Sequence, residues 1–238
     1  MPMDTIFIVA AAALFLIAIE RWLPATALPQ RSGWYWRMVA LNGAQILVSY
    51  TGASTSDLWL ADARPWVNPL HPAAAALLGY VVLTFVYYWW HRARHEVPFL
   101  WRYLHQVHHS PARLEVLTSF YKHPVEILLN GLLSSTLLYL LLGLDPATAT
   151  IVVAITGVAE LLYHANLKTP YWLGFVFQRP ESHRVHHESG WHRQNYSDLP
   201  LWDWLFGTLN NPRHTVEQCG FAAQREAALG ALLLGKQP

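Results

Sequence analysis

Five apolar stretches run through the chain, and each is close to the length that a helix needs to cross a bilayer. They are residues 5–23, 35–50, 72–90, 125–143 and 147–163. A transmembrane helix takes about 20 mostly apolar residues, and lipid offers the backbone no hydrogen-bonding partners, which favours helices over open strands. Only 13% of the residues are charged, against about 25% in soluble domains. These features predict an all-α integral membrane protein with about five transmembrane helices.

The distribution of lysine and arginine predicts the orientation. With the N-terminus outside, five spans leave only Arg64 of the sixteen Lys and Arg residues in an outer segment. Cytoplasmic loops carry the excess of positive charge in membrane proteins. Residues 91–124 and 164–238 then share the cytoplasmic face, and these two segments hold twelve of the thirteen histidines.

Three groups of histidines are spaced three or four residues apart, as on one face of a helix. One has the pattern H-x-x-x-H and two have H-x-x-H-H; their members are His91, His95, His105, His108, His109, His183, His186 and His187. His164 and Glu160 lie one turn apart at the end of the fifth stretch. Clustered imidazoles repel one another when protonated and need partners when buried and neutral, and a metal ion supplies the partner. Zinc, copper, iron and nickel all suit imidazole, and eight or more ligands indicate two ions.

The remaining histidines lack a histidine partner at helical spacing. His71 and His214 are interpreted as amphipathic residues of the membrane interface. His123 and His192 lie near the boxes, so ligation and a supporting or substrate-side role both stay open for them. Metal-bound imidazoles are usually oriented by acceptors behind them; the candidate carboxylates are Glu96, Glu126, Glu160, Glu188, Asp198 and Asp203.

The three histidine boxes, HRARH, HQVHH and HRVHH, in this order and on one predicted face, resemble the fatty acid hydroxylase superfamily. This superfamily consists of integral-membrane, non-haem di-iron enzymes and includes the sterol desaturases. The resemblance covers about residues 75–212 and extends to HPVE at 123–126, YHANL at 163–167 and NYSDLPLWDWLFGTL at 195–209. Two departures are Ser197, where the family usually has glycine, and Glu160, where several relatives have histidine.

The resemblance implies a set of metal ligands and a chemistry. The implied catalytic ligands are His91, His95, His105, His108, His109, His164, His183, His186 and His187, and the further candidates are Glu160, His123 and His192. They would hold two iron ions, with zinc as a substitute in recombinant material, and O2 would be the co-substrate. The substrate would be an apolar lipid, such as a sterol, a fatty acyl chain or an ether lipid, that reaches the site from the bilayer and leaves as an alcohol or with a double bond.

Electrons would come from an external reductase or a small electron carrier, because the chain has no visible flavin or nicotinamide fingerprint. A net charge of +1 gives no case for a nucleic-acid partner. The predicted location is a membrane, the inner membrane in a bacterium, with the active site on the cytoplasmic face.

The expected domain organisation has three parts. Residues 1–70 would form N-terminal transmembrane helices and an outer loop, 71–212 the catalytic domain and 213–238 a C-terminal tail. Residues 170–177 and 199–209 are apolar but too short to span, and are predicted to belong to a cytoplasmic helical cap over the histidine-rich di-metal site.

The alternative functions are a membrane haem cytochrome and a metal transporter or metal-binding sensor. The histidines cluster at the ends of the spans instead of facing one another within them, which disfavours haem ligation. A transporter would place polar or ionisable groups along a path through the membrane, and the span interiors hold few of them.

The predicted orientation can be tested with reporter fusions at residues 60 and 238. We expect the two fusions to report opposite sides of the membrane, because nearly all Lys and Arg residues fall on one side. Alkaline phosphatase and fluorescent-protein reporters measure the outcome. Fusions that report the same side would contradict the five-span arrangement.

Overall fold

The computed structural model describes residues 3–237, with all of their side chains except those of residues 3–5 and Ser56. Helices, turns and irregular segments make up this part of the chain. A single antiparallel bridge between Glu188 and Cys219 is its nearest approach to a strand. The predicted all-α class is confirmed.

The amino-terminal part forms three helices. α1 spans Met3–Trp22, α2 spans Trp34–Ser54 and α3 spans Ser56–Asp62. Gly33 precedes α2 with a φ of 66°, a left-handed conformation that glycine adopts without steric cost. α2 is longer than the apolar stretch 35–50 from which it was predicted.

α4 spans Pro72–Glu96 and carries the first histidine box in its last turns. Its proline stands at the start of the helix, where the missing N–H costs little. Nδ1 of His71 accepts a hydrogen bond from the N–H of Ala73 at 3.3 Å, which caps the helix. The helix continues past residue 90, where the predicted span ends, and so places His91 and His95 on the same regular helix as the apolar residues.

Short elements lead from α4 to the next long helix. α5 spans Pro98–Leu100 and runs into a π-helical turn over Trp101–His105, and a 3-10 turn forms over Val116–Thr118. α6 spans Pro124–Ser135 and continues as a π-helical segment over Thr136–Leu141. The fourth predicted span is therefore helical throughout most of its length, but its second half is wound more loosely than an α-helix.

α7 spans Pro146–His164 and ends at a candidate ligand. Oδ1 of Asp145 accepts hydrogen bonds from the N–H groups of Ala147 and Thr148 at 2.9 and 3.0 Å. These bonds satisfy two of the four N–H groups that a helix start leaves free.

The remaining elements are short. A 3-10 helix spans Tyr171–Phe175, α8 spans Pro180–His186 and α9 spans Pro200–Leu205. α10 spans Ala223–Ala227 and α11 spans Leu229–Leu233. The two apolar segments predicted as parts of the cap each contain a helix of about one to two turns, which is too short to cross a bilayer.

Three helical segments of the described chain are long and apolar enough to cross a membrane: Pro72–Glu96, Pro124–Leu141 and Pro146–His164. Large apolar side chains such as Leu14 of α1 and Leu47 of α2 are also exposed, as expected of surfaces that face lipid. The protein is a multi-pass membrane protein. The total of five spans stays a prediction.

α7 is the central helix of the packing, since both α1 and α4 lie against it, while α2 lies against α6. α4 and α7 approach closely at Gly79, where an added Cβ would come within 2.9 Å of the side chain of Val152. Tyr80, Leu83 and Leu138 are buried in the same core. This contact fixes α4 against α7, the two helices that carry the first box and His164 at their ends.

A buried carboxylate fastens the C-terminal segment to the start of α2. Glu226 is fully buried, and its two oxygens pair with Nε of Arg31 and Nη2 of Arg37, each at 3.0 Å. Oε2 of Glu226 also accepts a hydrogen bond from the N–H of Ala112 at 3.3 Å. Removing one partner of a buried ion pair leaves an uncompensated charge, which is the costly change.

We expect Glu226→Gln to lower the free energy of unfolding by about 3–5 kcal/mol, because two arginines then lose their only carboxylate partner at this site. The measurement is thermal unfolding of the purified protein in detergent. Glu217→Gln makes the same substitution at an exposed position and should leave the midpoint unchanged. Equal midpoints for the two variants would contradict the structural role of Glu226.

Candidate metal centre

Nine histidines converge from four parts of the chain. α4 supplies two, the π-helical turn and the residues after it supply three, the end of α7 supplies one, and α8 with the residue that follows it supplies three. Their nitrogens form two groups, and within each group one ligand atom of every residue lies within 4.8 Å of all the others. Group 1 consists of His91, His95, His105, His109 and His186, and group 2 of His108, His164, His183 and His187.

Each H-x-x-H-H box divides its histidines between the two groups. His108 belongs to group 2 although its neighbour His109 belongs to group 1, and His186 and His187 divide in the same way. Helical spacing alone predicts that each box points its histidines at one place. The structure differs because the π-helical turn ends at His105 and irregular turns follow, and because adjacent residues on α8 point in different directions.

Hydrogen bonds fix which ring nitrogen of His91 and His105 carries the proton. Nδ1 of His91 donates to the carbonyl of Tyr196 at 2.7 Å, and a carbonyl can only accept. Nδ1 of His105 donates to the carboxylate of Glu126 at 3.0 Å. In both neutral rings Nε2 therefore carries no proton and can act as a hydrogen-bond acceptor or a metal ligand. These two Nε2 atoms lie 3.0 Å apart, with no proton between them.

The nitrogens of group 2 lie equally close together. Nδ1 of His164 donates to the carbonyl of Glu160 at 2.8 Å, and its Nε2 lies 3.3 Å from Nε2 of His108 and 3.0 Å from Nε2 of His183. Nε2 of His183 lies a further 3.1 Å from Nε2 of His187. Behind His183, the side-chain amide of Gln178 contacts Nδ1 at 2.6 Å.

The donor set fits metal ions. Two nitrogens bound to one ion at about 2.1 Å lie about 3.0–3.4 Å apart at right or tetrahedral angles, and the Nε2 separations within the groups are 3.0–3.3 Å. Nε2 of His95, His109 and His186 is buried without a hydrogen-bond partner among the described residues. A cation in group 1 would satisfy these three nitrogens, which no described residue does.

Burial is the main cause of the lowered pKa values of the imidazoles outside the spans. It lowers the pKa of His186 to about 3, and it acts in the same direction on His105, His108, His109, His183 and His187. These rings are therefore neutral at physiological pH. Neutral imidazole is the form that binds a metal ion.

Buried carboxylates hold the ligands in place. The carboxylate of Glu126 is paired with Arg94 as well as with His105, and all three side chains are buried. Asp203 accepts hydrogen bonds from the N–H groups of Tyr196 and Ser197 at 2.8 and 3.0 Å. Through Tyr196, whose carbonyl binds His91, Asp203 positions a histidine that it does not touch.

The segment before Tyr196 has a strained backbone. His192, Gln194 and Asn195 have φ values of 49°, 64° and 49°, which residues other than glycine adopt rarely. The Asn195 amide holds this shape by donating to the carbonyls of Ser182 and Asn210, both at 2.8 Å. The carbonyl of Gln194 consequently points at Nδ1 of His186, 2.7 Å away. Strain of this kind persists where the surrounding structure over-determines it, often at functional sites.

Three predicted candidates lie outside both groups. His123 caps α6 by accepting from the N–H of Val125 at 3.1 Å, and its Nε2 donates to the carbonyl of Leu233. The carboxylate of Glu160 pairs with the ammonium group of Lys122. The His192 ring packs against Trp101 and His109, with ring centroids 5.3 and 5.0 Å away.

Sequence reasoning missed several residues that support the ligands. Gln178 is uncharged and Arg94 is cationic, so a search for carboxylates finds neither of them. The carbonyl groups of Tyr196 and Gln194 are backbone atoms and leave no signal of their own in the sequence. Of the candidate carboxylates, Glu96 pairs with Arg92 at the surface, at 2.7 Å.

The fold and the site define a helical membrane protein with two imidazole-only groups suited to metal ions. The sequence model described as "Fatty acid hydroxylase" matches residues 76–208, which include all nine grouped histidines. The chain belongs to the fatty acid hydroxylase family.

Three of the curated relatives come from a bacterium and two plants. The chain is 34% identical to an ornithine lipid hydroxylase, OlsE, of Rhizobium tropici over 62% of this chain and 45% of the relative. It is 29% identical to a Δ(7)-sterol-C5(6)-desaturase of Nicotiana tabacum over 75% of this chain and 63% of the relative, and 27% identical to sphinganine C4-monooxygenase 1 of Arabidopsis thaliana over 69% and 64%. The chain thus spans about half to two thirds of the length of these relatives. No solved structure matches it.

We expect the purified protein to hold two metal ions per chain, and His183→Ala to hold about one, because group 2 loses a central ligand while group 1 is intact. Elemental analysis of metal per chain is the measurement. His214→Ala, at an exposed position, is the matched control and should keep both ions. Two ions in a fully loaded His183→Ala protein would contradict the assignment of group 2.

Proposed function

We propose that the protein is a di-iron, O2-dependent oxidoreductase that hydroxylates or desaturates an unactivated C–H bond of a lipid. The observation that carries this proposal is the convergence of nine imidazole side chains in two adjacent groups, in which His91, His105 and His164 present unprotonated Nε2 atoms. The nine grouped histidines would be the ligands of the two ions. Two irons, when bound, supply the redox chemistry that activates O2 and removes hydrogen from carbon.

The chain's own residues provide neutral ligands, fixed orientations and a dry environment. His91 and His105 are held by Tyr196 and Glu126 behind them, and such supporting partners raise metal affinity and fix the ring. His108, His164 and His183 are almost completely buried. A site without bulk water protects a reactive centre from side reactions.

The position of the site fits a lipid substrate. His91 and His95 close the apolar helix α4, and His164 closes α7. Both ends therefore lie where the bilayer meets water, and a hydrocarbon can reach them laterally from the lipid. The arginine and lysine distribution supports the cytoplasmic face, which in a bacterium is that of the inner membrane.

Iron is proposed on the basis of family membership, and zinc can occupy the same nitrogens, because imidazole suits both metals. The three relatives are named for the hydroxylation of ornithine lipids, the desaturation of sterols and the oxidation of sphinganine. These names support a lipid substrate without choosing among lipids. Electrons would come from a separate reductase or small electron carrier on the cytoplasmic side.

The packing of the imidazoles disfavours the haem alternative. Ring centroids of His109 and His187 are 4.1 Å apart, and those of His164 and His183 are 4.3 Å apart. Rings this close leave no space for a tetrapyrrole between them. A transport path is also disfavoured, since the grouped nitrogens lie at span ends with most of their rings buried.

Lipid analysis tests the function. Extracts of cells that express the protein should contain a lipid that has gained one oxygen atom or lost two hydrogens, compared with cells that lack it. His108→Ala should reduce this product by at least about 10-fold, since loss of even a supporting partner costs that much. High-resolution mass spectrometry measures the product, and His214→Ala is the control.

Full product formation by His108→Ala, at equal protein levels, would overturn the di-iron proposal. A product that forms equally without O2 would do the same. Iron per chain is measured on the same samples. This measurement distinguishes a variant that folds but binds less iron from one that does not accumulate as folded protein.

A further inference from the structure

A cavity of about 360 Å³ lies between α1, α4, α7 and the segments around Phe177 and Asp198. Ile8 and Ile155 line it and are 49% and 42% exposed on the outer surfaces of their helices. Tyr80, which is only 7% exposed, lines it as well. The cavity thus runs from the lipid-facing surface to the buried side of α4, and its size falls in the range of about 300–1,000 Å³ typical of small-molecule sites.

The inner end of the cavity holds a hydroxyl group with no hydrogen-bond partner in the part of the chain that the structure describes. The hydroxyl of Tyr80 is buried and has no hydrogen-bond partner among the described residues. A polar group of this kind is costly in an apolar surrounding, most of all within a membrane span. A bound molecule with a polar group would remove that cost.

A carboxyl group lies at the same end. Burial raises the pKa of Asp198 to about 7, Glu160 acts in the same direction, and the hydroxyl of Tyr163 is hydrogen-bonded to the carboxyl. The carbonyl of Asp198 accepts from the N–H of Gln178 at 2.9 Å, which fixes the backbone at this point. Both the protonated and the ionised forms are therefore available near neutral pH.

The cavity and group 2 share a wall. Gln178 lines the cavity, and its amide contacts Nδ1 of His183 at 2.6 Å. Tyr163 lines it too, and its ring lies 4.4 Å from the ring of His183 and 4.9 Å from that of His164, between centroids. A molecule in the cavity would therefore be separated from group 2 by the thickness of one side chain.

We propose that this cavity binds the lipid substrate and selects one that carries an uncharged hydroxyl group, which Tyr80 and Asp198 hold at the inner end. The proposal rests on the proposed lipid-oxidising function. The apolar residues Ile8, Ile155 and Val158 contact the hydrocarbon part.

The charges around the inner end favour a hydroxyl over an ionic group. An anionic carboxylate or phosphate would face the carboxyl group of Asp198, and none of the described lining residues is a lysine or an arginine. The nearby Lys122 is already paired with the carboxylate of Glu160. An ammonium group would lose its hydration on entering the cavity. Its one acidic partner there would be Asp198, which is partly protonated near neutral pH. A hydroxyl can accept from Tyr80 and donate to Asp198 at once.

Binding of tritiated hexadecanol to the metal-loaded protein in detergent tests the proposal without turnover. Tyr80→Phe removes only one hydroxyl and should weaken binding by about 3–10-fold, the value of one hydrogen bond. Val158→Trp fills the cavity from its apolar wall and should weaken binding at least about 10-fold. Tyr139→Phe makes the same change at a buried tyrosine outside the cavity and should leave binding unchanged.

Competition defines the class of ligand. Unlabelled hexadecanol should displace the probe far better than hexadecane, hexadecylamine or hexadecanoate. Equal displacement by any of these three, or unchanged affinity in both cavity variants at normal metal content, would overturn the proposal. A protein that binds hexadecanol as expected but oxidises no cellular lipid would support the cavity assignment and contradict the proposed function.

Discussion

Bare nitrogen atoms that face one another at about 3 Å are the constraint on which this structure depends. Nε2 of His91 and Nε2 of His105, both without a proton, lie 3.0 Å apart. Lone pairs at this distance repel unless a positive charge lies between them. The Gly79 contact between α4 and α7, the strained backbone before Tyr196 and the buried carboxylates all hold the rings in an arrangement that is unfavourable without a cation.

The supporting groups come from segments far away in the sequence. Glu126 belongs to the start of α6 and holds a histidine of the π-helical turn. The carbonyls of Gln194 and Tyr196 belong to the loop after α8 and hold histidines of α8 and α4. The orientation of the grouped histidines thus depends on the folding of several distant segments, and a change in any of these segments alters group 1, to which these three histidines belong.

Sequence patterns predicted the regular parts of the fold and of the site. The all-α class, the apolar helices and the H-x-x-x-H box follow from composition and from a helical period that α4 keeps to its end. The division of each H-x-x-H-H box was not predictable, because it depends on where the helix stops, as at His105. Gln178 was also missed: a lone glutamine carries no spacing signal, and its contact with His183 exists only after folding.

The division of the boxes has a geometric consequence. Consecutive residues, His108 with His109 and His186 with His187, serve different groups, and consecutive Cα atoms across a trans peptide are separated by a fixed distance of about 3.8 Å. Two peptide bonds therefore join group 1 directly to group 2. Because of these covalent links, the two groups stay adjacent even when the surrounding helices move.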